Sequence, residues 1–117
     1  MSDFTIRTES NHCRHRIIIT GELDISKEVA LRGAINDVIE EKMTHGDFVV
    51  VNLAQVTYID RYSIGLLIDS WHRITAMSGS LCLVISDKIT RIFEILGILK
   101  VLPIMECEAQ IASPTTC

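Results

Sequence analysis

The spacing of apolar positions changes several times along the chain, and each change of period marks an element. Residues 4–8 alternate apolar and polar side chains, as an edge strand does, and Ser10-Asn11 supplies a turn. The β-branched run Ile17-Ile18-Ile19-Thr20, within residues 16–20 and closed by Gly21, completes a predicted hairpin. A helix starting at Lys27, capped by Ser26 or Asp24, would bury Val29, Ala30, Ala34, Ile35, Val38 and Ile39. Its opposite face carries Glu28, Arg32, Asp37, Glu40 and Glu41, and His45-Gly46 ends it. Phe48-Val49-Val50-Val51-Asn52-Leu53 reads as a strand buried on both faces, and a short apolar stretch follows that ends at Ile59. A second helix over about residues 63–77 places Ile64, Leu67, Ile68, Trp71, Ile74 and Thr75 on one side and stops at Ser78-Gly79. Residues 81–85 form another buried strand, and Ser86 caps a helix through Leu96 that Gly97 ends. Pro103 limits residues 101–104 to a short edge strand.

The resulting order is β-β-α-β-α-β-α-β. Strands separated by helices imply parallel, right-handed crossovers, so only the first hairpin is antiparallel. The prediction is an α/β chain with a small mixed, mostly parallel sheet and helices packed against it. Residues 1–117 form one domain, with a core over about residues 4–105 and a weakly structured tail over residues 106–117.

Composition narrows the function classes. Hydrophobic residues make up 48% and charged residues 22%, an ordinary globular balance. The net charge of −4 argues against a general nucleic-acid binder, which needs a basic face. No apolar run approaches the roughly 20 residues that span a bilayer, and the amino terminus has no secretory pattern, so cytoplasmic residence without membrane insertion is expected. Cys13, Cys82, Cys107 and Cys117 share no metal-ligand spacing, and a disulfide framework is not expected; Cys82 reads as a small buried hydrophobe. His12-Cys13-Arg14-His15 reads as an exposed turn leading into a strand rather than a metal site.

Catalytic machinery is not evident. The glycines form no phosphate-binding loop, and Ser63 has only one of the two flanking glycines of a nucleophile elbow, Gly65. His72 lies too far along its helix to serve Ser63 as a base, and Asp69 is too far from Asp60 for a paired-carboxylate site. No cofactor, metal or catalytic residue is assigned. Two polar turns remain: Gly21-Glu22-Leu23-Asp24, and Asp60-Arg61-Tyr62-Ser63. Each reads equally well as a helix cap or as a functional loop. Both follow strands at their carboxyl ends, so a parallel arrangement sets them on the same sheet edge, where a binding surface is readily built.

Gly21-Glu22-Leu23-Asp24, the strand Val49-Val50-Val51-Asn52-Leu53, Tyr58-Ile59-Asp60 before Gly65-Leu66-Leu67, Gly79-Ser80-Leu81, Ile92-Phe93-Glu94-Ile95-Leu96-Gly97-Ile98 and Lys100-Val101-Leu102-Pro103-Ile104 recur in an order and spacing that resembles the STAS domain. More narrowly the chain is similar to the bacterial anti-sigma factor antagonists, over about residues 4–105. The resemblance implies a partner-switching regulator of transcription that binds an anti-sigma factor with serine kinase activity. In such a protein phosphorylation at the start of the helix after the third strand releases the partner. It also implies a partner-binding surface that includes Glu22, Asp24, Asp60, Arg61, Tyr62 and Ser63, on a monomer or weak dimer. The family turn places a hydroxyl directly after the aspartate, whereas this chain has Arg61 there. Ser63, the substitute hydroxyl, is displaced by roughly 200° around a helix. Loss of the usual phosphoserine switch is therefore the favoured expectation. The alternative is an accessory or scaffold subunit of a transporter or stress-signalling assembly. A hydrolase using Ser63 is a third, less favoured reading.

Overall fold

The structure, a computed structural model, describes residues 3–105. The chain runs β1 (Thr5–Asn11), β2 (Arg14–Leu23), a 3-10 turn (Ile25–Lys27), α1 (Glu28–Asn36), a π-helical continuation (Asp37–Lys42), β3 (Phe48–Ile59), α2 (Arg61–Ala76), β4 (Ser80–Ile85), α3 (Asp87–Ile95) and β5 (Ile104–Met105). The sheet order is β1-β2-β3-β4-β5, antiparallel between β1 and β2 and parallel elsewhere. The strands follow chain order across the sheet, and right-handed crossovers that advance in one direction must all pass over one face. The core shows that consequence. Ile17, Ile19, Val51 and Leu83 from the strands pack with Leu31 of α1, Leu67 of α2 and Phe93 of α3 in one cluster. Val50, Cys82 and Val84 form a smaller cluster of their own. Cys82 is thus the buried hydrophobe expected, and burial pushes its thiol pKa up.

Four local departures from the sequence reading have physical causes. First, the phase of α1 is set by Leu31, Ile35 and Val38, which are buried, while Val29 is 87% exposed and Ala30 is also exposed. The opening 3-10 turn shifts the start of the helix, and the wider π-helical end lets the adjacent Val38 and Ile39 both face inward. Second, Gly21 does not end β2; with φ of +93° it lies within the strand at a register shift against β3. Its pro-side-chain position faces the Phe4 backbone at 2.9 Å, so the first residues of the chain cross it closely. Third, β5 begins at Ile104, because Pro103 cannot donate; its carbonyl instead accepts from the Leu83 N–H at 2.8 Å. Fourth, Cys13 is disulfide-bonded, although no disulfide framework is expected from the sequence. Cys107, Cys117 and the predicted tail lie outside the described residues.

His15 also departs from the exposed turn assigned to it. It is 1% exposed, and its Nε2 lies 2.7 Å from Asp47 Oδ2 while its Nδ1 lies 2.8 Å from Ser10 Oγ. A ring protonated at Nε2 donates to Asp47 and accepts from Ser10. Asp47 additionally accepts from the Thr44 N–H at 2.9 Å and the Thr44 hydroxyl at 3.1 Å. The cluster ties the hairpin to the entry of β3, at the sheet edge opposite the two polar turns.

Candidate functional site

β3 extends through its apolar run to Ile59, with Val56 and Ile59 buried, and so delivers Asp60 directly beside the end of β2. Leu23 pairs with Ile59, and the Asp60 N–H donates to the Leu23 carbonyl at 3.1 Å. The two polar turns are therefore adjacent on one edge of the sheet.

Asp60 clamps them together. One carboxylate oxygen accepts from the Ser63 N–H at 2.9 Å and caps α2, which is why that helix starts at Arg61 rather than at residue 63. The other accepts from the Ile25 N–H at 2.9 Å, across from the turn after β2. Ser63 faces inward at 3% exposure, and its hydroxyl donates to the Leu23 carbonyl at 3.2 Å. Asp24 caps the 3-10 turn, accepting from the Ser26 N–H at 2.9 Å, and its Oδ2 lies 3.4 Å from Lys27 Nζ. Its carboxyl is held below the ordinary range, chiefly by the hydrogen bond from the Ser26 hydroxyl, with help from the Ser26 N–H and Lys27. Ser26 therefore supports the cap rather than forming it.

The remaining residues face outward. Glu22 and Arg61 are exposed, and Tyr62 is 62% exposed. Leu23, between Glu22 and Asp24, returns to the core. Ile25 and Val29 are exposed apolar neighbours. Ile25, Glu28, Arg32, Tyr62, Gly65 and Leu66 line a hollow of about 180 Å³ between α1 and α2. A side chain at Gly65 would meet nothing nearby, so its glycine leaves the hollow open. Ile25 and Val29 escaped the sequence reading because Val29 fits an apolar helical face as well as Leu31 does. The spacing Leu31-Ile35-Val38 was the signal that excludes it. The site offers shape, exposed aromatic area and charge; it brings together no nucleophile and base. His72, exposed and stacked against Trp71, is on another part of α2.

Comparison with known proteins agrees with this geometry. The profile of the STAS domain family matches residues 8–111. Among solved structures, an anti-sigma factor antagonist from Mycobacterium paratuberculosis superposes with a TM-score of 0.77 at 18% identity, covering 92% of this chain and 89% of that one. The anti-sigma factor antagonist SpoIIAA in its unphosphorylated form gives 0.67 at 18% identity, covering 92% of each chain. The Bacillus cell fate determinant SpoIIAA in its phosphorylated form gives 0.66 at 21% identity, covering 92% of this chain and 95% of that one. No helix of the described residues is long and apolar enough to cross a membrane. With its matched span and its mixed sheet flanked by helices, the chain belongs to the STAS domain family.

Proposed function

We propose that this chain is an anti-sigma factor antagonist that binds an anti-sigma factor of the serine-kinase class in the cytoplasm, and that the usual phosphoserine switch is absent. The observation that carries this reading is the split in the turn after β3. Asp60 and Ser63 are consumed in holding the turn, while Arg61 and Tyr62 project from it. Arginine and tyrosine are favoured interface anchors, and Glu22 with Asp24 supplies an acidic flank. Arg61 offers no hydroxyl. The Ser63 hydroxyl is buried on a backbone carbonyl, so a kinase could reach it only by unwinding the first turn of α2. The protein is a binding module without an active site of its own.

Two variants separate binding from folding. Tyr62→Ala should weaken binding to the anti-sigma factor by about tenfold or more, the scale of an interface anchor, while the melting temperature stays within about 2 °C of wild type. Arg61→Ala should behave in the same sense. Calorimetric titration of the purified pair reads the first effect and circular dichroism the second. Wild-type affinity retained in both variants, or no binding by the wild type, would remove the reading. The missing hydroxyl also suits an accessory or scaffold subunit, which needs no phosphorylation. Recovery of an ATPase complex or a STAS oligomer, in place of an anti-sigma factor, would favour that alternative.

A further inference from the structure

The helices all cover one face of the sheet, yet the other face is not bare. Val49, Val51 and Leu53 of β3 pack in the cluster shared with α1, α2 and α3, so the alternate Val50 faces away from it. Cys82 and Val84 of β4 do the same, with Phe48 and Ala54 packed beside them. No helix of the described residues contributes to this patch. A sheet face without a second layer leaves such residues partly in water, but Val50 is 0% exposed, Val84 2% and Cys82 4%. Arg14, Arg16 and Asn52 lie on the same face by register, and none of them is without a partner.

Cys13 identifies the cover. It is disulfide-bonded, whereas Cys82 is free, which leaves Cys107 and Cys117 as candidate partners. Reach decides between them. The Phe48 N–H donates to the Cys13 carbonyl at 2.7 Å, so Cys13 sits just before the level of Phe48 and its neighbour Ser80. Met105 of β5 pairs with Val84, three strand spacings from β2 and several residues further along. Strand geometry sets Met105 and Cys13 roughly 22 Å apart across the sheet. Cys107, two residues beyond Met105, covers about 7 Å of that, and a disulfide adds at most ~7 Å between Cα atoms. Cys117, twelve residues beyond, completes the span even in a helical segment rising about 1.5 Å per residue.

We propose that residues 106–117 cross the helix-free face of the sheet and that a Cys13–Cys117 disulfide ties them to the β1–β2 hairpin. The diagonal from β5 to the hairpin runs over Cys82 and Val50, the middle of the buried patch. Ala109, Ile111 and Ala112 give the segment the small apolar side chains that a shallow patch accepts. In a thiol-rich compartment such a bond is a reversible state of the protein. Exchange with a small disulfide closes the strap and releases two small thiols. Dithiothreitol opens it: the S–S bond breaks, both cysteines leave as thiols, and the reagent is oxidised to its cyclic disulfide.

The test uses the full chain purified without reductant, alkylated on unfolding and digested at arginine and glutamate. Mass spectrometry should recover Cys13 joined to Cys117, with Cys82 and Cys107 alkylated. Cys82, buried on the covered face, reports closure in the native protein. Its modification by an aromatic disulfide reagent, read at its own peptide, should be at least tenfold faster in Cys117→Ser than in wild type. Wild type reduced with dithiothreitol and then freed of it should match Cys117→Ser, and Cys107→Ser should match the oxidised wild type. The reduced wild type reads the same opening without a substitution, and circular dichroism should show every form folded. The proposal is overturned if Cys13 is recovered as a thiol, joined to Cys107, or joined to a cysteine of a second copy. Equal Cys82 modification in oxidised and reduced wild type would also overturn it.

Discussion

Asp47→Ala is expected to destabilise the fold by about 3 kcal/mol, lowering the melting temperature by roughly 10–20 °C. Asp47 is 3% exposed and accepts hydrogen bonds from His15 and from the Thr44 N–H and hydroxyl. Truncating it leaves the buried His15 imidazole N–H without its acceptor and removes the two hydrogen bonds that hold the exposed Thr44 turn to the entry of β3. The same residue makes stability depend on pH. Burial alone would raise the Asp47 pKa, but the hydrogen bonds from His15 and Thr44 outweigh it and hold the carboxyl below its ordinary value of 3.8. A depressed folded-state pKa contributes stability that is present above the unfolded value and is lost as pH falls through the folded one. The difference in urea midpoint between wild type and Asp47→Asn should therefore be constant near neutral pH and shrink below about pH 4. A variant as stable as wild type at pH 7, or a difference that grows on acidification, would show that the cluster contributes no such stability.

Asp60→Ala is expected to cost about 2 kcal/mol, because it removes the α2 cap and the tie to Ile25 together. Asp60→Asn should cost less, since its amide oxygen still caps Ser63 while its amide nitrogen faces the Ile25 N–H without an acceptor. Partner binding should fall along with stability in Asp60→Ala, because the clamp sets the position of Arg61 and Tyr62. That pairing distinguishes it from Tyr62→Ala, which should alter binding alone. Thermal melts and calorimetric titration on the same preparations read both effects. An Asp60→Ala protein with wild-type melting temperature would show that the clamp is dispensable.

Much of this architecture was legible in the residues. The order of elements, the antiparallel hairpin and the adjacency of the two polar turns follow from changes of period and from the rule for parallel crossovers. What was hidden depended on contacts between distant residues. His15 looks like part of an exposed polar run because its partner, Asp47, is 32 positions away. Ser63 looks like an available hydroxyl until the Leu23 carbonyl, 40 positions earlier, is placed above it. Val29 fits the apolar face of a helix read straight from Lys27, whereas the 3-10 turn before α1 and the π-helical turn after it leave Leu31, Ile35 and Val38 to set the buried phase. Ile95 and Leu96 satisfy a helical pattern, yet the sheet ends before it can cover them.

Arg61 stands where the resemblance places the phosphorylated hydroxyl, and the proposed loss of the switch rests on it. The deciding measurement is a calorimetric titration of the chain into a purified serine-kinase anti-sigma factor, before and after incubation with ATP and magnesium, with the mass of the chain recorded in parallel. Unchanged affinity and unchanged mass are expected for the wild type, whereas Arg61→Ser should gain one phosphate and lose affinity. A wild-type chain that acquires phosphate on Ser63 and releases its partner would contradict the assignment of a buried, structural Ser63 and an unswitched antagonist.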